Sequence, residues 1–353
     1  MRRHSVTRAR IALAVAALAL YAALPGVGAM AIEGARRDAG GRFLNTAGDI
    51  GFADPTVTLP FFARRIGAML TGRGGYPETL ANDGAFLRDN ARHSVPTVTW
   101  IGHATLLVQM DHATFLTDPI WSERASPVGF TGPKRAQAPG VALDDLPEID
   151  FVLVSHNHYD HLDVETLRRL AARDPHTLFV VPLENAVTLR DAGVSNVVEL
   201  DWGGSVEIAG LRVVCLPAQH WSGRGLLDRR VTLWGSYAVI GPERRFYFAG
   251  DTGYFDGFAK IGALHGPFDL AAMPIGAYSP REMMHHFHMN PEEALQASRD
   301  VRARRIVPVH YGTFDLSDES PDEPPRRLME AATAGAIAPE DVYLLKIGET
   351  RPF

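Results

Sequence analysis

Phe151-Val152-Leu153-Val154-Ser155-His156-Asn157-His158-Tyr159-Asp160-His161-Leu162-Asp163 is the stretch from which the reading of this chain starts. Its first four residues are apolar and rich in β-branched side chains, and they follow Pro147 and Glu148, the pattern of a short strand buried on both faces. His156, His158, Asp160 and His161 come directly after. Side chains at this spacing cannot share one face of a helix, but they can splay from a loop at a strand's end to hold two metal ions. Imidazole with carboxylate is the donor set that divalent metals take. Asp163 stands where the N-cap of a helix over 164–172 would be, so the ligands fall between a strand end and a helix start.

Composition sets the frame around that motif. A chain of 353 residues, 46% hydrophobic and 22% charged, can bury a substantial core in one large or two medium domains. A net charge of −6, a pI near 6.2 and no basic run beyond the N-terminus argue against nucleic acid as a partner, and so against a nuclease. Cys215 is the single cysteine; it rules out an internal disulfide and, in the apolar run 211–216, reads as a buried structural thiol. At the N-terminus Arg2, Arg3, Arg8 and Arg10 precede an uncharged stretch over 11–30, which ends in Ala29-Met30-Ala31. A basic segment, an apolar core short for a bilayer span and a small-x-small site describe an export signal cleaved near Ala31, or a membrane anchor if it is kept. Either places the protein in the periplasm or at the membrane. Residues 1–31 are therefore expected to be signal or anchor, 32–96 an extension wrapped on the main domain, and 97–353 the main domain.

Within the extension, Pro60 marks an expected helix start, with Phe61, Phe62, Ile66, Met69 and Leu70 on one face and Arg64 and Arg65 opposite. That face either packs on the body or meets a membrane or incoming substrate. From Thr97 onward the pattern predicts strands over 97–101, 104–110, 113–117, 151–154, 178–181, 205–208, 211–216, 233–240, 245–249, 270–274 and 305–309. Helices are predicted over 164–172, 185–192, 255–264, 291–301 and 325–334. Hairpins mixed with strand–helix units give an α/β fold of two packed sheets with helices outside, a four-layer α/β/β/α sandwich.

Three more ligand-type residues follow predicted strands: His220, Asp251 and His310. With the motif they make seven, enough for two metals sharing one carboxylate. Here the chain resembles the metallo-β-lactamase superfamily, whose pattern is His-x-His-x-Asp-His followed by distant His, Asp and His. Within it the likeness is to the N-acyl-phosphatidylethanolamine-hydrolysing phospholipase D branch. It runs from Trp100 onward through Trp-Ile-Gly-His-Ala-Thr (100–105), Leu-Thr-Asp-Pro-Ile (116–120), Gly-Pro-Lys-Arg (132–135), Pro-Ala-Gln-His-Trp (217–221), Ala-Gly-Asp-Thr-Gly-Tyr (249–254) and Pro-Ile-Gly-Ala-Tyr (274–278). The broader superfamily has glycine where Asp163 stands here; aspartate marks the phospholipase D and ascorbate-phosphate lactonase branches.

The resemblance implies that His156, His158 and His220 hold one zinc, that Asp160, His161 and His310 hold the other, and that Asp251 bridges, other divalent metals being open. It implies a phosphodiesterase releasing phosphatidic acid and an N-acylethanolamine, with a phospholipid as substrate and a membrane surface as partner. Two adjacent cations activate water and stabilise charge developing on phosphorus and on the leaving oxygen. The metals require neutral imidazoles, so activity is expected to fall in acid. Asp160 and Asp251 are catalytic through the metals, and His288 matches a family position from which it could protonate the leaving alkoxide. Asp118 resembles the acid that orients a ligand histidine. His103 is a candidate for the cleft, and Lys134, Arg135 and Arg224 are candidates for phosphate oxygens; His285 and His286 read as a solvated loop. The rival readings are a lactonase or phosphodiesterase acting on a small soluble sugar phosphate and a non-catalytic metal-binding surface protein. The sequence leaves the oligomeric state open, a homodimer included.

Overall fold

The computed structural model describes residues 31–51, 53–71 and 73–353, together with the side chains of all of these but Met69, Leu70 and Thr71. The export segment expected over 1–31 lies outside them up to residue 30. Among the described residues no helix is long and apolar enough to cross a membrane.

Strands β1 (Thr97–Gly102), β2 (Thr105–Met110), β3 (Ala113–Thr117), β4 (Phe151–Leu153), β5 (Leu178–Pro182) and β6 (Val197–Leu200) run side by side in chain order. The first three are antiparallel hairpin strands and the last three add in parallel. A second sheet holds β7 (Ser205–Ile208), β8 (Leu211–Leu216), β9 (Ser236–Ile240), β10 (Arg245–Phe248), β11 (Leu270–Pro274) and β12 (Ile306–Val309), and β13 (Thr350–Pro352) closes the first sheet antiparallel to β1. The eight helices among the described residues are α1 (Pro55–Thr71), α2 (Ala85–His93), α3 (Val164–Arg173), α4 (Ala186–Asp191), α5 (Gly257–His265), α6 (Arg281–Met284), α7 (Pro291–Asp300) and α8 (Glu323–Ala334).

Strand alternation sorts the side chains into layers. Leu106, Val108, Phe115, Phe151, Leu153 and Val180 point into a core shared with Val213, Tyr237, Phe246 and Ala271 of the other sheet. Their neighbours Leu107, Leu116, Val152 and Phe179 point the other way, onto Leu167 and Leu170 of α3 and Leu189 of α4. On the far side Phe258 and Ile261 of α5, Leu295 of α7 and Leu328 of α8 join the core of the second sheet. The expected four-layer sandwich is the fold observed.

The extension differs from its expectation. Helix α1 begins at Pro55 and carries Pro60 inside it, giving up one i→i−4 hydrogen bond. Asp54 sets this earlier start, its carboxylate accepting from the backbone N–H of Thr56 at 2.8 Å and from its hydroxyl at 2.6 Å. Phe61 is buried, but Phe62 and Ile66 are exposed together with Leu59, and Met69 and Leu70 are among the side chains left undescribed. Arg65, expected on the polar face, is 5% exposed and pairs with Asp315 at 2.5 Å. An ion pair thus fixes which face of α1 meets the body, and the apolar row 59, 62, 66 is left outward. Strand β9 starts three residues later than expected because the backbone of 233 and 235 bonds to Leu183 and Ser155 instead.

Candidate metal centre

Every sequence-predicted ligand sits just beyond a strand, at one end of the sandwich. His156 to His161 follow β4, His220 follows β8, Asp251 follows β10 and His310 follows β12. Nε2 of His156 lies 2.7 Å from Nδ1 of His158, and Nε2 of His220 lies 3.3 Å from that same Nδ1. A second group forms beside it, with Oδ2 of Asp160 standing 3.3 Å from Nε2 of His161 and 3.4 Å from Nε2 of His310. Oδ2 of Asp251 touches both groups: it is 3.2 Å from Nε2 of His161, 3.0 Å from Nε2 of His310 and 3.8 Å from Nε2 of His220. All seven sequence-predicted ligands therefore converge, and Asp251 is the shared one.

Partners on the far ring nitrogen fix what three of the imidazoles, His156, His161 and His220, present. Nδ1 of His161 donates to Oδ2 of Asp118 at 2.6 Å, and Nδ1 of His220 donates to the Phe287 carbonyl at 3.0 Å. Nδ1 of His156 is held by the Ser155 hydroxyl at 2.9 Å, and that hydroxyl also donates to Asp118. In each case Nε2 is left facing inward. His103 is fully buried, and its Nε2 lies 2.9 Å from Oδ2 of Asp160, so it holds that carboxylate instead of lining the cleft. Asn45, from the extension, clasps the backbone of His220 from both sides, donating to its carbonyl and accepting from its N–H. Glycine is required at 250: its φ is +59°, and a Cβ there would come within 2.6 Å of the Ser155 Cβ.

The electrostatics of the cluster are set by burial and by its own carboxylates and imidazoles. Burial depresses His156 and His220 well below the ordinary histidine range, and His158 to about 4. Burial also opposes protonation of His161 and His310, yet Asp251 and Asp160 raise His161 well above its ordinary value and His310 to about 9. Asp160 and Asp251 are held well below the usual carboxylate range against the effect of burial, by His161 in both cases. Nε2 of His161 and His310 and Oδ1 of Asp251 are buried with no hydrogen-bond partner among the described residues. Orphaned lone pairs of this kind, on imidazoles and carboxylates whose ligand atoms group within 4.8 Å of one another, fit divalent cations.

A cavity of about 520 Å³ opens onto this cluster. His158, Asp160, Asp251, His288 and His310 form its polar part, while Phe62, Trp221, Met283, Met284, Phe287 and Leu316 make the rest apolar. His288 lies with Nδ1 3.9 Å from Oδ2 of Asp251, and burial depresses it to about 4. Arg224 does not reach the cavity: it stacks on Tyr159 at 3.9 Å and donates to the carbonyls of Asn157 and Leu162, bracing the motif loop. Lys134 and Arg135 line a neighbouring cavity. Asp163 occupies the N-cap position of α3 without capping it, because its carboxylate accepts from Ser122 and Thr166. His285 and His286 are exposed, as read. Sequence reasoning missed Ser155, Asn45 and most of the apolar wall. Ser155, beside the motif, was the one with a local signal.

Ligand groups of this make-up at the strand ends of a four-layer sandwich define a metal-dependent hydrolase. The chain matches the β-lactamase superfamily domain over residues 113–311, more than half its length, and belongs to that superfamily. An N-acyl-phosphatidylethanolamine-hydrolysing phospholipase D of Caenorhabditis elegans is 47% identical over 228 residues, 62% of this chain; the match spans 64% of that protein, just under two thirds. A metal-dependent hydrolase of Methanopyrus kandleri is 35% identical across 66% of this chain and 91% of its own. Among solved structures, a metallo-hydrolase from Ignicoccus hospitalis superposes with a TM-score of 0.54 at 26% identity, over 73% of this chain and 98% of its own.

Proposed function

We propose that the protein is a binuclear zinc phosphodiesterase of the phospholipase D type, which hydrolyses N-acyl-phosphatidylethanolamine-like lipids to phosphatidic acid and an N-acylethanolamine. The observation that carries this reading is the cavity itself: a predominantly apolar wall leading down to His158, Asp160, Asp251 and His310, four of the seven candidate ligand side chains. The nematode relative, named for this activity, supports the choice of substrate. His156, His158 and His220 would hold one zinc and Asp160, His161 and His310 the other, with Asp251 shared; the pair would supply activated water and stabilise charge at phosphorus. Asp118, Ser155 and His103 keep the ligands aimed. His288, neutral at pH 7 given its depressed pKa, offers the leaving oxygen a hydrogen bond from its ring N–H. Phe62, Met283, Met284, Phe287 and Leu316 take up acyl chain.

The same reading places the enzyme at a membrane surface. Leu59, Phe62 and Ile66 expose an apolar row on α1, and Phe62 is also part of the cavity wall. Tyr159, on that wall, borders a second cavity lined by Val128 and Arg224, and the loops carrying those residues expose Phe130, Leu226 and Leu227. Together with the export-type N-terminus, this supports a periplasmic or membrane-anchored enzyme. Fractionation should recover it with the periplasm or membranes, with a mature terminus near residue 32 if the segment is cleaved. The function is tested by giving zinc-loaded protein a panel of phospholipids and identifying products by mass. Phosphatidic acid and N-acylethanolamine are expected from the N-acylated lipid. Turnover confined to soluble sugar-phosphate lactones would overturn the reading.

A further inference from the structure

A third cavity, of about 360 Å³, lies across the wall formed by Pro133, and none of the seven candidate ligand side chains lines it. Arg73, Tyr76, Arg124, Lys134, Arg135 and Asp315 surround it. Its charge does not balance internally. Asp315 is taken up by Arg65 at 2.5 Å and Arg73 at 3.4 Å, and Lys134 pairs at the rim with Glu123 at 2.7 Å. Arg124 and Arg135 are left over. Arg124 donates to the Gly132 carbonyl at 2.7 Å and has no carboxylate within ion-pair distance among the described residues. Arg135 is 9% exposed, and its Nε and one terminal nitrogen have no hydrogen-bond partner among the described residues. The Phe314 ring, 5.7 Å away, gives that guanidinium an apolar face and no counter-charge.

A buried guanidinium with unmade hydrogen bonds and no carboxylate within ion-pair distance is costly. Asp163 acts on Arg135 only from farther off and is itself bonded to Ser122 and Thr166, and Arg124, likewise without a contact ion pair among the described residues, lines the same cavity. Two arginines lining one cavity supply the charge and the forked N–H donors that suit a tetrahedral dianion. We propose that this cavity is a binding site for a phosphate dianion, separate from the metal centre, taken either as free phosphate or as the monoester headgroup of a phosphatidate. Helix α1 connects the two places, with Phe62 on the catalytic wall and Ala68 on this one. Burial lowers the Arg135 pKa to about 10, which still leaves it charged at neutral pH.

The test is calorimetric titration of the zinc-loaded full chain with inorganic phosphate, dihexanoyl phosphatidic acid and, as a control, dihexanoyl phosphatidylcholine. Wild type should bind one more equivalent of phosphate or phosphatidic acid than Arg135→Gln. Should that variant not fold, Arg124→Gln, at a half-exposed position, should weaken the same event at least tenfold. Phosphatidic acid binding tenfold more tightly than phosphate would identify a lipid headgroup, and equal affinities would identify the free anion; both support the site. Equal stoichiometry and affinity in wild type and Arg124→Gln, or phosphatidylcholine binding as tightly as phosphatidic acid, would overturn it.

Discussion

Asp251 is the side chain on which both ligand groups depend, since one of its oxygens faces His161, His310 and His220. Asp251→Ala should therefore reduce bound metal by more than one site's share and lower activity by about 10³-fold, the rate equivalent of several kcal/mol of charge stabilisation. Metal content by mass spectrometry alongside turnover would check it, and a fully active variant would sink the shared-carboxylate arrangement. Asp118→Asn leaves the ligands in place but disturbs the Nδ1 partner of His161, so metal affinity should fall about 10- to 100-fold. Protons give a third expectation. His310, raised to about 9, carries one at pH 7 when no metal is bound, and a metal needs that lone pair. Zinc added to metal-free protein at pH 7 should release protons, and apparent affinity should rise with pH up to about 9. A titration that leaves the pH of a weakly buffered sample unchanged would refute this. The seven candidate ligands were legible because each is a metal-type residue following an apolar run. Ser155, Asn45 and the true job of His103 were not, because each acts through a spatial neighbour that sequence spacing does not reveal.

Strands β1 to β5 and β8 to β12 were legible because their side chains are buried on both faces, which leaves an apolar run in the sequence. Strand β6 is four residues with a glutamate inside, and β13 is Thr-Arg-Pro at a sheet edge; neither carries such a run. Helix α1 shows a different loss. Its apolar residues look like one face until Arg65 pairs with Asp315, 250 positions away, and rotates Phe62 and Ile66 outward. Asp315→Ala removes the closest partner of that buried guanidinium. It should cost about 3–5 kcal/mol, read as earlier unfolding in urea, and should speed proteolytic cutting within α1. If α1 stays as protected as in wild type, the ion pair is not what docks it.

Seen whole, the molecule places its reaction chemistry and its exposed apolar side chains around the same opening. The metal-ligand floor lies under a cavity of about 520 Å³, Phe62 forms part of that cavity's wall, and Leu59 and Ile66 continue its apolar surface along α1 into solvent. On the proposed reading hydrolysis at phosphorus needs only the floor, so a short soluble diester and a long-chain lipid should be cleaved by the same residues. What separates them is the apolar remainder, in which each buried methylene contributes about 0.8 kcal/mol and a few account for orders of magnitude. Phe61 is unsuitable for testing this because it is buried, and a charge there would disturb the docking of the helix itself. Phe62→Asp with Ile66→Asp alters only exposed positions. The double variant should keep its zinc and its rate on a short chromogenic diester, while apparent KM for lipid in vesicles rises about tenfold or more, the loss of about 1–2 kcal/mol of apolar contact. Equal changes on both substrates would mean that the row on α1 supports the fold and not the lipid, and the enzyme would then be a phosphodiesterase with no preference for an interface.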